Sequence, residues 1–234
     1  LHDALPILVI DEADKMLNLG FAEELGYVLK TLPKKTQNLL FSATFPEKVQ
    51  TLTQKLLKNP THIKIEAEKP TVDSIQQRVI EVNRHKRGAL LRHLVQTGKW
   101  EQVLVFVASQ TAAHNLAQKL TRDGIKALSF HGGLSQQDRN MVLKDFKNKK
   151  IRILVSTDLA SRGLDIQKLP YVVNYDLPRS PEDYIHRIGR TGRAGESGIA
   201  VTFIGHEDQS HFRLIEKRAK IELMRESRSE EHTS

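Results

Sequence analysis

The sequence predicts an α/β fold built from parallel sheets, and three observations support this prediction. Apolar runs of strand length alternate with amphipathic helical stretches almost from end to end, which is the pattern of βα units. Hydrophobic residues make up 39% of the 234 residues and charged residues 27%, a composition that can bury a core. The alternation lapses once, in the polar stretch 66–74, which we interpret as an interdomain linker.

The first block of the sequence contains three predicted strands and two predicted helices. The strands are the apolar runs 7–10 and 38–41 and the segment 62–65 that closes the block. Apolar residues from 21 to 32 and from 49 to 57 recur at helical spacing, so each of these stretches predicts one amphipathic helix.

The second block continues the same alternation over a longer stretch. Gly124 is placed to end a helix in a left-handed conformation, and Ser135 and Ser180 each precede a helix as capping residues. Pro181 and Asp183 strengthen the second of these starts. The predicted strands are 78–82, 103–107, 127–130, 151–155, 171–175 and 199–204.

These patterns divide the chain into four expected segments. They are a smaller sheet domain at 1–66, the linker at 67–74, a larger domain at 75–220, and a charged tail at 221–234 that we expect to be disordered. The sequence lacks an initiator methionine and opens almost directly on a strand, so we expect it to be a piece of a longer protein.

Charge and residue usage narrow the function classes. The formal net charge is +8, and on charge alone a polyanionic partner such as nucleic acid and an inert basic surface are both open. Cysteine is absent, which excludes disulfides and thiolate zinc sites and fits a cytoplasmic location. Every apolar run is far shorter than the roughly 20 residues that cross a bilayer, so we expect no membrane partner.

Two carboxylates directly follow the first predicted strand. Asp11 and Glu12 leave its carboxyl end, where ligand clefts form in α/β sheets, and Asp14 follows two residues later. A strand-end aspartate can hold Mg²⁺ through its water shell, and an adjacent glutamate can orient and deprotonate a water molecule. The alternative is an acidic helix start that the helix dipole favours.

Polar loops follow two other predicted strands. Ser42 and Thr44 could relay hydrogen bonds, although small residues after a strand also make ordinary turns. The segment 156–166 combines hydroxyl groups with Arg162 and Gly163. Such a loop can cradle phosphates through its hydroxyl and backbone N–H groups.

The predicted helix that begins after Ser180 has a basic end punctuated by glycines. His186 and Arg190 lie one turn apart on one face, and Arg187, Arg190 and Arg193 fall within seven residues. Planar guanidinium groups at this density suit bidentate contact with phosphate oxygens. The alternative is a solvated basic turn.

Taken in order, these motifs resemble those of the DEAD-box RNA helicases, with the overall character of the bacterial RhlE-like branch. The matching segments are DEAD at 11–14, SAT at 42–44, STDLASRGLDI at 156–166 and HRIGRTGR at 186–193. The resemblance covers about residues 7–219. It implies two RecA-like lobes, with the C-terminal part of the first lobe and a complete second lobe in this chain.

The resemblance also implies roles for individual residues. Asp11 would serve Mg²⁺, Glu12 would be the catalytic base, and Asp165 would hold the ribose of ATP. Arg190 and Arg193 would reach the γ-phosphate. Coupling between the lobes is implied for Asp14, Ser42, Thr44 and His186, and sequence-independent contact with the RNA backbone for Ser109, Gly132, Gln136, Arg139, Thr157, Arg162 and Gly163.

One departure from the family pattern bears on activity. The sequence contains no GxxxxGK(S/T) phosphate loop, so we expect this chain to be inactive as an ATPase by itself. Three functions stay open: an ATP-dependent RNA helicase, an ATPase-deficient RNA-binding module that uses only the second lobe, and a related DNA helicase. Intact Glu12, Arg190 and Arg193 favour the first over the second.

Overall fold

A computed structural model describes residues 6–33, 35–64, 75–161, 166, 168–192 and 198–227. The chain divides into two compact units, Leu1–Glu66 and Ala67–Ser234.

The described part of the first unit contains a two-stranded parallel sheet and three helices. The first strand pairs with the second from Ile7 opposite Gln37 to Ile10 opposite Leu40. The strands are β1 (Ile7–Ile10) and β2 (Gln37–Leu40), and the helices are α1 (Ala13–Asn18), α2 (Ala22–Thr31) and α3 (Glu47–Leu56).

The two faces of the β1–β2 sheet differ in burial, because successive side chains of a strand point to opposite faces. Ile10 packs with Ala13 and Leu25 into a small core. Ile7 and Val9, on the opposite face, are 61% and 55% exposed. The first unit therefore buries only one face of its sheet in the described residues.

The strand predicted at 62–65 does not form over residues 62–64, which have no strand conformation. Ile63 is 83% exposed. A strand requires a hydrogen-bonded neighbour, and none of the described strands pairs with this segment. Residue 65 lies outside the described residues.

The described part of the second unit is built on one seven-stranded sheet in which every pairing is parallel. The sheet confirms the predicted α/β class. The strands are β3 (Ile75–Glu81), β4 (Val103–Phe106), β5 (Ala127–Phe130), β6 (Ile153–Ser156), β7 (Tyr171–Asn174), β8 (Gly198–Ile204) and β9 (Arg225–Ser227). Their order across the sheet is β5-β6-β4-β7-β8-β3-β9.

Helices cover both faces of this sheet. The central strand β4 is buried on both sides: Val105 belongs to one core and Leu104 and Phe106 to another, as expected for a parallel sheet. No described helix is long and apolar enough to cross a membrane. The helices are α4 (Arg87–Thr97), α5 (Gln110–Arg122), α6 (Gln136–Lys147), α7 (Asp158–Ser161), α8 (Pro181–Ile188) and α9 (Gln209–Ala219).

The predicted helix boundaries of the second unit are confirmed at three positions. The hydroxyl of Ser135 accepts a hydrogen bond from the Asp138 N–H at 3.1 Å, and the hydroxyl of Ser180 accepts one from the Asp183 N–H at 3.1 Å. Gly124, with φ of +80°, follows α5 in the left-handed conformation. Local capping chemistry thus sets where α5, α6 and α8 begin or end.

The tail differs from our expectation of disorder. Residues 225–227 form β9, which pairs in parallel with β3. Arg225 lies 2.6 Å from Glu216, and Arg78 lies 2.6 Å from Glu226. Charged residues adopt regular structure here because the backbone of β3 and two ion pairs hold them. Residues 228–234 lie outside the described part of the chain.

Candidate functional site

Asp11 and Glu12 lie directly after β1, at the carboxyl end of the first sheet. Asp11 is exposed, and its Oδ1 accepts a hydrogen bond from the Glu12 N–H at 2.8 Å. Glu12 has φ of +51°, a left-handed conformation that is uncommon for a residue other than glycine. Such strained residues cluster at functional sites. The Glu12 carboxylate lies 3.4 Å from the Lys15 ammonium.

Asp14, unlike Asp11 and Glu12, is turned into the protein and is only 5% exposed. Thr44 donates to Asp14 Oδ2 from its hydroxyl at 2.5 Å and from its backbone N–H at 3.0 Å. The hydroxyl of Ser42 accepts from the Asp14 N–H at 3.2 Å and donates to the Thr44 carbonyl at 2.6 Å. The structure therefore brings together three of the four residues predicted to couple the lobes.

The hydrogen bonds around Asp14 act on its ionisation. Burial by itself would raise the pKa of this carboxyl group. Donation from the Thr44 hydroxyl and N–H, and from the Lys15 N–H, outweighs burial and holds the pKa below its ordinary value of 3.8. Asp14 is thus held as a carboxylate.

Three residues of the predicted RNA-binding set follow neighbouring strands of the second unit. Ser109 comes after β4, Gly132 after β5 and Thr157 after β6. These strands lie side by side and run parallel, in the order β5-β6-β4. The three residues therefore lie at the end of the sheet where these strands finish, which is where α/β proteins bind ligands. We call this end of the sheet the carboxyl-end edge.

Other predicted RNA-binding residues complete this carboxyl-end edge. The guanidinium of Arg139 lies 4.8 Å from the Phe130 ring centroid, and Gln136 donates to Asn140 at 3.0 Å. A Cβ atom on Gly133 would come within 2.8 Å of the Gln110 side chain, so the glycine loop after β5 approaches α5 closely. The edge presents hydroxyl, amide and guanidinium groups.

The backbone of Arg190 lies at the other end of the sheet. Its carbonyl accepts a hydrogen bond from the Leu169 N–H at 3.0 Å, and Leu169 precedes β7. Thr157, by contrast, follows β6. Strands of four residues are about 13 Å long, so the structure does not place the Arg190 backbone among the predicted RNA-binding residues. His186 is exposed on α8. Arg162, Gly163, Asp165 and Arg193 lie outside the described residues.

The predicted phosphate contact of Arg187 is wrong. This side chain is 2% exposed. Its Nε and Nη2 donate to Asp158 at 2.6 and 2.8 Å, its Nη1 donates to the Asp176 carbonyl at 2.6 Å, and its guanidinium lies 4.9 Å from the Phe106 ring centroid. A guanidinium engaged in this way inside the protein holds α8 in place. The spacing of arginines in the sequence does not reveal these partners.

One feature of the carboxyl-end edge has no signal in the sequence. A depression of about 360 Å³ opens beside Ala108, next to Ser109, and the side chains of Arg84, Arg179 and His211 line it. Arg84 begins a short 3₁₀ helix after β3, Arg179 lies between β7 and α8, and His211 is in the first turn of α9. Linear spacing therefore cannot show that they meet.

The parallel α/β units, the strand-end carboxylate pair and the polar strand-end edge are the features that the resemblance to the DEAD-box helicases leads us to expect. Comparisons with known proteins agree. Residues 2–52 match the sequence model of the DEAD/DEAH box helicases, and residues 85–195 match that of the helicase conserved C-terminal domain. The chain is 41% identical over 218 residues to the DEAD-box ATP-dependent RNA helicase CshA of Bacillus licheniformis, covering 93% of this chain and 45% of that relative.

Solved structures give the same result. Dbp5 of S. cerevisiae bound to RNA and ADP BeF3 aligns with a TM-score of 0.80 and 34% identity, covering 95% of this chain and 59% of that one. The C-terminal domain of Dbp5 aligns with a TM-score of 0.62 and 33% identity, covering 67% of this chain and 92% of that one. The chain belongs to the DEAD-box helicase family. It spans just under half the length of the curated relative.

Proposed function

We propose that this chain is part of an ATP-dependent RNA helicase that remodels RNA duplexes when ATP closes two RecA-like lobes on the RNA backbone. The observation that carries this proposal is the conformation of the DEAD segment. Asp14 is held by Thr44 and Ser42, while Asp11 and Glu12 stay accessible at the end of β1. CshA is named an RNA helicase, and Dbp5 binds RNA and ADP BeF3.

The residues present supply part of a site for ATP and Mg²⁺, because the sequence has the carboxylates and arginines of such a site but no phosphate loop. No group of three or more metal-ligating side chains occurs among the described residues, but Mg²⁺ bound with a nucleotide needs only one or two carboxylates. Asp11 would hold the ion, which when bound would neutralise charge on the phosphates. Glu12 would take a proton from the attacking water, Arg190 and Arg193 would contact the γ-phosphate, and Asp165 the ribose.

RNA would lie along the carboxyl-end edge of the second unit. Hydroxyl groups, guanidinium groups and backbone N–H groups bind sugar and phosphate without reading base edges. We therefore expect binding to be insensitive to sequence and steeply dependent on salt. The residues assigned to this contact are Ser109, Gly132, Gln136, Arg139, Thr157, Arg162 and Gly163.

Three finer assignments also belong to this proposal. His186 would join the network of Asp14, Ser42 and Thr44 in coupling ATP hydrolysis to lobe movement. Within the family, the motifs favour the RhlE-like branch, although the relative named above is a CshA helicase. The absence of cysteine fits a cytoplasmic location.

The test is RNA-stimulated phosphate release by two proteins. The 234-residue chain should bind RNA without hydrolysing ATP, because its sequence has no phosphate loop to hold the nucleotide. A chimera should hydrolyse ATP when RNA is added. In this chimera, the residues of CshA that precede its matched segment are joined to the N-terminus of the 234-residue chain. ATP turnover by the 234-residue chain would contradict the role of the phosphate loop. RNA binding without turnover by the folded chimera would favour the ATPase-deficient module.

A further inference from the structure

The amino ends of β4, β5 and β6 form a second charged surface, at the opposite end of the sheet from the proposed RNA edge. Three turns lead into these strands, and each turn carries lysine. Together they border a depression of about 630 Å³. We call Lys99, Lys126, Lys149 and Lys150 the lysine patch; Glu101 and Arg152 also line the depression.

The turns that carry the lysine patch are tied to one another. The Arg152 N–H donates to the Lys126 carbonyl at 2.8 Å. The Arg152 guanidinium donates to the carbonyl of Trp100 and, at 3.0 Å, to that of Val95. Trp100 in turn stacks on Tyr171 with ring centroids 4.4 Å apart. The lysines therefore project from a fixed base, which lowers the cost of binding an extended anion.

The ion pairs within the patch are weak. Lys149 lies 3.8 Å from Glu101 and Lys150 lies 3.4 Å from Asp145. The two lysine side chains are 63% and 65% exposed. Exposed pairs of this kind contribute about 0 to 1 kcal/mol, so phosphate groups can replace these carboxylates at little cost.

The neighbouring helix ends do not require this charge. Cations in the last turn of a helix offset the partial negative charge of its terminal carbonyls. The last turn of α5 already carries Lys119 and Arg122, and that of α6 carries Lys144 and Lys147. The lysine patch lies beyond these residues and adds further positive charge.

We infer that the lysine patch is a second RNA-binding surface, which contacts the phosphates of an RNA segment other than the one at the carboxyl-end edge. The inference rests on the proposed function, which makes RNA the substrate. Ile125, the apolar side chain among the lining residues, is 3% exposed, whereas the centres of protein interfaces are rich in exposed apolar and aromatic groups. Lysine ammonium groups bind phosphate as point charges.

The experiment removes positive charges of the lysine patch in the 234-residue chain. The test variant combines Lys126→Gln, Lys149→Gln and Lys150→Gln. The control variant combines Arg213→Gln, Lys217→Gln and Arg218→Gln, which remove the same charge from the exposed side of α9. Fluorescence anisotropy measures the binding of a hairpin RNA with a single-stranded tail and of the short single strand alone, over a range of salt concentrations.

The patch variant should bind the hairpin RNA about tenfold more weakly at low salt, and its slope of log K against log salt should fall by about 2. Its affinity for the short single strand should be unchanged, and the control variant should bind both RNAs like the unmodified chain. Equal losses in the patch and control variants would overturn the inference, because net charge alone would explain them. The inference would also be overturned if poly-glutamate competed for the patch as effectively as RNA does.

A separate variant distinguishes failure of this inference from failure of the proposed function. Arg139→Gln, at the carboxyl-end edge, should weaken binding of the short single strand. If it does so while the patch variant binds the hairpin normally, the lysine patch is not an RNA surface and the proposed function stands. If the unmodified chain binds neither RNA, the proposed function itself fails.

Discussion

Arg187 and Asp158 form a bidentate ion pair, with Nε and Nη2 of the arginine donating to Oδ1 and Oδ2 of the aspartate at 2.6 and 2.8 Å. The pair joins α8 to α7, which follows β6. Arg187 also donates to the carbonyl of Asp176, after β7. One buried guanidinium therefore fixes the helix that carries His186 and precedes Arg190.

Replacing this arginine should destabilise the second unit. We expect Arg187→Met to lower the free energy of unfolding by about 2–3 kcal/mol, because it removes the hydrogen bonds of a buried guanidinium and leaves the partly exposed Asp158 without its partner. Urea unfolding followed by Trp100 fluorescence measures the change. Arg213→Met, on the exposed side of α9, is the control and should change stability by about 0.5 kcal/mol or less. Similar losses of stability in both variants would show that the buried ion pair does not stabilise the second unit more than an exposed arginine does.

A second prediction concerns the Thr44 hydroxyl. Thr44→Val removes the donor 2.5 Å from Asp14 Oδ2 and leaves a buried carboxylate short of a partner. We expect a loss of about 1–3 kcal/mol, visible as faster hydrogen exchange in β1 and β2. The control is Thr51→Val, whose hydroxyl donates to the Glu47 carbonyl on the exposed side of α3. Equal exchange rates in the two variants would contradict the prediction.

The same variant should change the response to pH. Because the pKa of Asp14 lies below 3.8 in the folded protein, its hydrogen bonds stabilise the first unit above that pH. This contribution is lost as pH falls through the folded pKa. In Thr44→Val the first unit should lose less stability between pH 6 and pH 3 than it does in the unmodified chain. Hydrogen exchange at these two pH values measures the difference.

Most of the second unit could be predicted from the sequence because its signals are local. Ser135 and Ser180 cap helices with their own hydroxyl groups, and Gly124 ends α5 with its own backbone. The strand-end positions of Ser109 and Thr157 follow from the same alternation. Where local chemistry decides the structure, the pattern of residues is sufficient.

The features that the sequence did not predict depend on distant partners. Arg187 is buried because Asp158, 29 residues away, faces it. Residues 225–227 form a strand because β3, far earlier in the chain, offers an unpaired edge. Residues 62–64 show the converse, since this short segment has no described neighbouring strand and stays out of the sheet.

Glu12 gives a third prediction, made for the chain extended to include a phosphate loop. Glu12→Gln should lower ATP turnover by about 10²–10⁴-fold, because the amide keeps the shape of the side chain but cannot accept a proton. ATP-dependent RNA binding should persist. Glu23→Gln, in the first turn of α2, is the matched control and should leave turnover unchanged. Turnover near the unmodified rate in Glu12→Gln would exclude Glu12 as the base.

Arg190 gives a fourth prediction in the same extended chain. Arg190→Lys should reduce hydrolysis by about 10³–10⁵-fold while changing RNA affinity little, because a point ammonium cannot replace a planar guanidinium on the developing phosphoryl charge. Arg213→Lys serves as the control. If Arg190→Lys instead loses RNA binding and keeps hydrolysis, Arg190 is an RNA contact.

The last prediction concerns β9 and the end of the second unit. A fragment spanning residues 71–227 should unfold cooperatively, because the second unit has its own sheet and cores. A fragment ending at residue 220 removes β9 and both of its ion pairs. Glu216, whose buried carboxylate lies 2.6 Å from Arg225, then loses its partner, and we expect the free energy of unfolding to fall by about 3 kcal/mol.

The pH dependence of unfolding distinguishes the contribution of the Glu216–Arg225 ion pair from the contribution of the β3–β9 strand pairing. Burial by itself would raise the pKa of Glu216, but Arg225 and the Leu223 N–H lower it below 4.5. The stability that this group contributes is therefore present above pH 4.5 and lost as pH falls through the folded pKa. Urea unfolding at pH 3 and pH 7 should show a larger acid loss for the 71–227 fragment than for the shorter one. Glu222→Gln, on an exposed neighbour of β9, should leave that difference intact. Identical unfolding of the two fragments at both pH values would show that residues 221–227 do not stabilise the unit. That result is the one expected of a disordered tail.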